Sequence, residues 1–178
     1  MTRTIRLILI AAAMTVFFVG MVVDHTVRRA TGTEVMLDLE PVDPRDLLAG
    51  YYIILSTPLH RIEIESVSGD DEFQPGNDIF VVIEADELGN FQPTAIYGAA
   101  PEAGLFIRGK VQRAHGTFVR AIYNLERFYA DEETAQELET RRRENTDRLR
   151  LIVSVGSDGR ALIRGLEIDE ERQIDDLF

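Results

Sequence analysis

Hydrophobic and polar positions divide the chain into two unlike parts. From Leu7 to Val23 (LILIAAAMTVFFVGMVV) seventeen consecutive residues carry no charge, between Arg6 and Asp24. A helix rises about 1.5 Å per residue, so this run covers roughly 26 Å of a hydrocarbon core about 30 Å thick. Ile5 extends it, and Arg6 can snorkel its guanidinium to the headgroups while its stem stays in lipid. The pattern predicts a single N-terminal transmembrane helix over about residues 5–23, inside an anchor and juxtamembrane linker at 1–30. A soluble domain follows at 31–178.

Past the anchor the period changes from a solid run to alternation. In 34–40 (EVMLDLE) Val35, Leu37 and Leu39 share one face and the acids mostly the other, which predicts a half-buried strand. Pro41 and Pro44 break that pattern, and Asp43 or Asp46 can cap a short turn over Leu47 and Leu48. Tyr51–Leu55 is a continuous aromatic and β-branched run, predicting a strand covered on both faces. Further strands are expected at His60–Val67, Ile79–Glu84, Phe91–Tyr97, Leu105–Val111, Phe118–Tyr123, Leu149–Val155 and Ala161–Ile168. Asp86–Asn90 reads as a hairpin loop and Ser157–Arg160 as a tight turn. Nine or ten short strands at this spacing predict a mainly β domain, a compact barrel-like fold or sandwich. One segment departs from it: Asp131–Asn145 has acids first and arginines last, the order that suits a helix dipole, and predicts one surface helix.

Two other readings of the apolar run stay open. A cleavable signal peptide needs small residues at a cleavage site, and Gly20-Met21-Val22-Val23-Asp24-His25 offers no Ala-x-Ala. A buried core helix is the second. Arginines tie across the run, Arg3 and Arg6 before against Arg28 and Arg29 after, and the amino end tips the tally toward a cytoplasmic N-terminus. The large domain is expected outside the cytoplasm.

Charge and composition exclude more than they assign. With Arg3 and Arg6 set aside, 17 basic residues stand against 31 acidic ones, a net −14 beyond the apolar run. So acidic a surface argues against nucleic acid and is repelled by anionic lipid headgroups. Cysteine is absent, which removes disulfides, thiolate nucleophiles and Cys-ligated metals. His25, His60 and His115 are scattered, and His60 and Glu63 would face opposite ways along a strand. Asp70-Asp71-Glu72 and Asn77-Asp78 lack the alternate spacing of a calcium loop. No glycine-rich phosphate loop precedes a helix. No catalytic residue, cofactor or metal site is expected.

An anchor, a Pro-containing stretch, Gly50 and then an apolar strand are together similar to bacterial signal peptidases. That family's Ser nucleophile stands ahead of the Gly, with a lysine base on a later strand. Here Pro41–Gly50 contains no Ser, Ser56 lies beyond the glycine, and Lys110 (the single lysine) has no evident partner. The resemblance implies a hydrolase with an unrecognised nucleophile or an inactive relative.

A second resemblance covers nearly the whole chain. Asp43-Pro44-Arg45-Asp46-Leu47-Leu48-Ala49-Gly50-Tyr51-Tyr52-Ile53-Ile54-Leu55 resembles the signature of the bacterial GDYXXLXY protein family, with Gly50, Tyr52 and Leu55 in register. Tyr51 replaces the motif's Asp, and Thr57 stands where its last Tyr should be. Arg108–Val111, Tyr123–Tyr129 and Asp158–Leu166 match further. That family has no established activity, and its members are commonly encoded beside a multi-spanning membrane protein. The resemblance therefore implies a non-enzymatic accessory role to a polytopic partner, in the bacterial inner membrane with the domain in the periplasm. Asp43, Arg45, Asp46, Gly50, Tyr52 and Leu55 are the candidate interaction motif. A small envelope ligand held inside the barrel is a third possibility.

Overall fold

The computed structural model describes residues 3–40, 52–129, 149–168 and 171–174. A helix, α1 (Arg3–Thr31), is followed by β1 (Thr33–Asp38), β2 (Tyr52–Ile54), β3 (Arg61–Glu63), β4 (Ser68–Gly69), β5 (Asp78–Ala85) and β6 (Phe91–Tyr97). Then come β7 (Phe106–His115), β8 (Phe118–Ile122), β9 (Arg127–Tyr129), β10 (Leu149–Val155), β11 (Ala161–Ile168) and β12 (Glu171–Ile174). The segment predicted as a surface helix, Asp131–Asn145, lies outside the described residues.

The helix is unbroken from the apolar run through residues 24–31, so it continues past the expected end of the span. Its stretch from Arg3 to Val27 is long and apolar enough to cross a membrane, and none of that window is buried by the rest of the chain. The buried-core alternative falls on that point. Three of its threonines bond back along the helix: the hydroxyls of Thr15, Thr26 and Thr31 donate to the carbonyls of Ala11, Val22 and Val27 at 2.9, 2.9 and 2.8 Å. A hydroxyl satisfied this way needs no water. Only Gly32 separates the helix from β1, and it is pressed against β10, where an added Cβ would meet Val155 O at 2.9 Å.

The strands form a curled half-barrel. One sheet has the order β1-β10-β11-β12, another β3-β8-β7-β5-β6-β4, and β2 pairs with β9 in a two-stranded ribbon. All neighbours are antiparallel except β4, which runs parallel to β6. Alternation places Val35 and Leu37 of β1 inside with Ile79, Val81, Ile107, Val119, Leu151 and Val153 in one continuous core. Pro93, which lacks an N–H, stands at the β5–β6 register shift, where the ladder is already interrupted. The expected hairpin at Asp86–Asn90 closes with the Asp86 carboxylate accepting the Leu88 and Asn90 N–H groups, each at 2.9 Å.

The expected strand at His60–Val67 is a correction. It is three residues of strand between two 3-10 turns, Pro58–His60 and Ile64–Ser66. Pro58 has no N–H to give to a ladder, and His60 N–H bonds back to Thr57 O at 3.0 Å instead. Of the expected Tyr51–Leu55 strand the described residues form β2, Tyr52–Ile54, which among the described residues pairs with β9.

Candidate functional site

Asp43, Arg45, Asp46 and Gly50 of the candidate motif lie outside the described residues. Tyr52 opens β2 opposite Tyr129 of β9. Leu55 is 5% exposed, and its N–H donates to Glu126 O at 2.9 Å. The motif's second half is thus zipped to the segment after Tyr123, a stretch that also carries the family resemblance.

Beyond Leu55 the chain enters a buried polar cluster. Thr57 is fully buried; its N–H donates to His60 Nδ1 at 3.0 Å, and its hydroxyl lies 3.0 Å from the same nitrogen. Because Nδ1 accepts, the ring proton of the neutral imidazole belongs on Nε2. That nitrogen faces Glu126 Oε1 at 3.4 Å. The same carboxylate oxygen accepts the Tyr123 N–H at 2.6 Å. Asn124, at φ 62, supplies the left-handed turn that folds Glu126 back onto Tyr123. The Tyr123 ring meets His60 edge-on, 5.7 Å between centroids, and its hydroxyl donates to Leu59 O at 2.9 Å. Gly109 of β7 makes room for that ring: a Cβ there would stand 2.5 Å from Tyr123 Cε1 and 2.8 Å from Ile122 O.

The electrostatics follow from this packing. Burial, with the Glu126 charge adding to it, pushes the Tyr123 phenol far above its ordinary value, so it is a permanent donor. For Glu126 burial acts upward, but the His60 ring beside it and the Tyr123 and Glu126 backbone N–H groups outweigh it. Its carboxyl is held below the usual range. The arrangement ties the end of the motif, the Pro58 turn, β7 and the Tyr123–Glu126 turn into one unit.

The residues weighed for catalysis each have other partners. Ser56 Oγ donates to Glu40 Oε2 at 3.3 Å. Lys110 Nζ is 2.9 Å from Asp78 Oδ1, and Arg108 reaches Asp78 Oδ2 at 3.0 Å. Hydrogen bonds from Lys110 and then Arg108, helped by their charges, hold the Asp78 carboxyl below its ordinary value against the opposing effect of desolvation. Asp70 accepts the Gly98 N–H at 2.8 Å and so fixes the loop after β6. No group of three or more metal-ligating side chains occurs among the described residues.

Two features went unread in the sequence. An open groove of about 780 Å³ runs between β4–β6 and the loop after Tyr97, with Asp70, Glu84, Thr94, Tyr97 and Glu102 among its lining. Arg150 and Glu167 form an ion pair that is nearly buried, 13% and 5% exposed at the side chains. The register sets Asp38, Arg150 and Glu167 opposite one another across β1, β10 and β11, a row of alternating charge. Alternating signs at a fixed register offset were the signal that could have located it.

A long apolar N-terminal helix leading directly into a curled β half-barrel defines the class of protein. The sequence matches the GDYXXLXY protein family over residues 14–166, and the chain belongs to that family. No curated protein and no solved structure matches the chain.

Proposed function

We propose that this chain is a non-enzymatic, membrane-anchored accessory domain that binds a multi-spanning membrane protein, from the periplasmic side of a bacterial inner membrane. The observation that carries the reading is the helix: its apolar surface is left uncovered by the domain, which has a complete core without it. The candidate motif begins soon after β1, which starts one residue past the helix, so a partner in the same bilayer is within reach. In the polar cluster at the motif's end Thr57 and Tyr123 are buried, at 0% and 4% exposure, and their hydrogen bonds are spent on His60, Glu126 and Leu59, which favours a positioning role for these two residues.

The test is a pull-down of tagged full-length protein from detergent-solubilised membranes, beside the variant Arg45→Ala/Tyr52→Ala, checked for folding. A stoichiometric polytopic partner that the variant loses supports the reading and assigns the motif to the interface. A protein that purifies alone overturns it. The groove beside β6 favours a second reading, a small envelope ligand, which native mass spectrometry of the purified protein would detect as a constant added mass.

A further inference from the structure

The outer face of the six-stranded sheet is divided by charge, and the division is already present along the chain. From Ile62 to Ile107 there are ten Asp and Glu and no Lys or Arg. From Arg108 to Leu125 there are Arg108, Lys110, Arg113 and Arg120 and no acid. Sheet order keeps the two stretches apart: β4, β5 and β6 belong to the first, β7 and β8 to the second, and the boundary runs between β5 and β7. At that boundary Arg108 and Lys110 share the Asp78 carboxylate. Arg61 joins the basic side because β3 pairs with β8, and it brings the acid Glu63 on the same strand.

A β-bulge builds the basic side. Val111 pairs with Ala121 and Arg113 with Arg120, so Gln112 is an extra residue on β7. Val111 is buried, and in a regular strand Arg113, two residues on, would face inward with it. The bulge turns Arg113 out beside Arg120, which on its other side pairs with Arg61. Like charges directly opposite destabilise a sheet, yet none of these three arginines has an acidic partner among the described residues. Arg61 lies over the Phe118 ring instead, 4.7 Å from its centroid. Across the boundary Glu84 shares the outer face of β5 with Asp78 and lines the open groove with Asp70 and Glu102. Asp70 is held by the Gly98 N–H, whereas Glu84 and Glu102 have no cationic partner among the described residues. Phe80 and Phe106, edge to face at 5.8 Å, and Ile122, 39% exposed, lie on this same face. Arginine and aromatic side chains on one face are the composition of a protein–protein interface.

We propose that this face binds a second copy of the chain, with Arg61, Arg113 and Arg120 of each copy set against Glu84 and Glu102 of the other. Both halves stand on one face, so a two-fold axis makes the contact twice, basic side on acidic side in each direction. The guanidinium forks match carboxylates, and the rings between them supply a centre from which water is excluded. A net charge of −12 on each copy opposes approach from a distance, but charges are screened beyond roughly 10 Å at about 0.1 M salt, and the facing halves meet inside that range. The pairing does not depend on the accessory reading, since a pair of copies can hold a membrane partner as one copy can.

Charge reversal tests it with the full chain in detergent. One variant, Arg61→Glu/Arg113→Glu/Arg120→Glu, makes both halves acidic; the other, Glu84→Arg/Glu102→Arg, makes both basic. All five side chains belong to exposed residues, and circular dichroism checks that each variant folds. Sedimentation equilibrium should find the wild type dimeric and each variant alone weaker in self-association by at least about tenfold. Mixed, the two variants should form a one-to-one heterodimer, captured through a tag on one of them, because every facing pair is again opposite in sign. Variants that dimerise like the wild type place the contact on the helix or another face and overturn the proposal. Variants that lose self-association but do not pair with each other overturn the charge complementarity. A wild type that stays monomeric overturns the second copy; if its co-purifying membrane protein is then lost from the arginine variant, the face belongs to that protein. Should a reversal fail to fold, Arg113→Gln/Arg120→Gln carries the test, and an unchanged dimer constant overturns the proposal.

Discussion

At Arg150 and Glu167 two full charges lie nearly buried within a regular sheet, whereas at Thr57, His60, Tyr123 and Glu126 hydrogen bonds join irregular segments. The first cluster is a matter of register. Once β10 and β11 pair, Arg150 and Glu167 must face each other, with Asp38 continuing the row. The second is a matter of turns: a proline-led 3-10 turn, a left-handed asparagine and a glycine under an aromatic ring. Ladder geometry makes the charged pair stiff but unforgiving, since each ion has been taken out of water for the other. The hydrogen-bonded cluster spreads its load over backbone groups, so single changes there should be milder.

The largest effect should therefore come from breaking the ion pair on one side. Arg150→Met leaves the Glu167 carboxylate, in a residue 4% exposed, without its arginine and should cost about 3–5 kcal/mol. Adding Glu167→Leu should restore most of that loss. Urea unfolding of the full chain in detergent, followed by circular dichroism since there is no tryptophan, measures both. A double variant as unstable as the single one would show that the charges do more than cancel.

Next is Gly109→Ala, which drives a methyl into the Tyr123 ring and Ile122 O and should cost about 1–3 kcal/mol. If it is harmless, the ring is not seated as described and the second cluster loses its floor. Acid should then separate the clusters through Glu126. Its folded carboxyl is held below the unfolded value, so its contribution is fully present above the ordinary glutamate range of about 4.3. It is lost as pH falls from there through the folded value. Glu126→Gln should flatten that part of the stability–pH curve; an unchanged slope would mean the carboxylate is not engaged. The smallest effect belongs to Ser56→Ala, an exposed hydroxyl on Glu40, which should shift stability within about 0.5 kcal/mol.

The long strands were legible because alternation is a local signal. β1, β5, β6, β7, β8, β10 and β11 all lie where the pattern placed them, and Tyr123–Tyr129 contains β9. Two strands were not legible. β4 is a two-residue Ser68–Gly69 pairing, with Gly69 at φ +108 packed on Ile96 O, a contact that exists only after folding. β12 (ERQI) is a charged edge strand, and charge on an edge is what keeps strands from pairing with other chains. In the candidate site Leu55 was legible as a motif position, and Thr57 only as a departure from the motif. His60 was read beside Glu63, its neighbour in sequence. Its partner is Glu126, delivered by β2–β9 pairing across more than sixty residues.

Gly32 alone joins the helix to the sheet, and it is packed against β10. Helices accommodate a bilayer of unequal thickness by tilting, about 20° on average. Any such tilt here is delivered to β1 as a rotation of the whole half-barrel, so bilayer thickness becomes a setting for the direction in which the domain points.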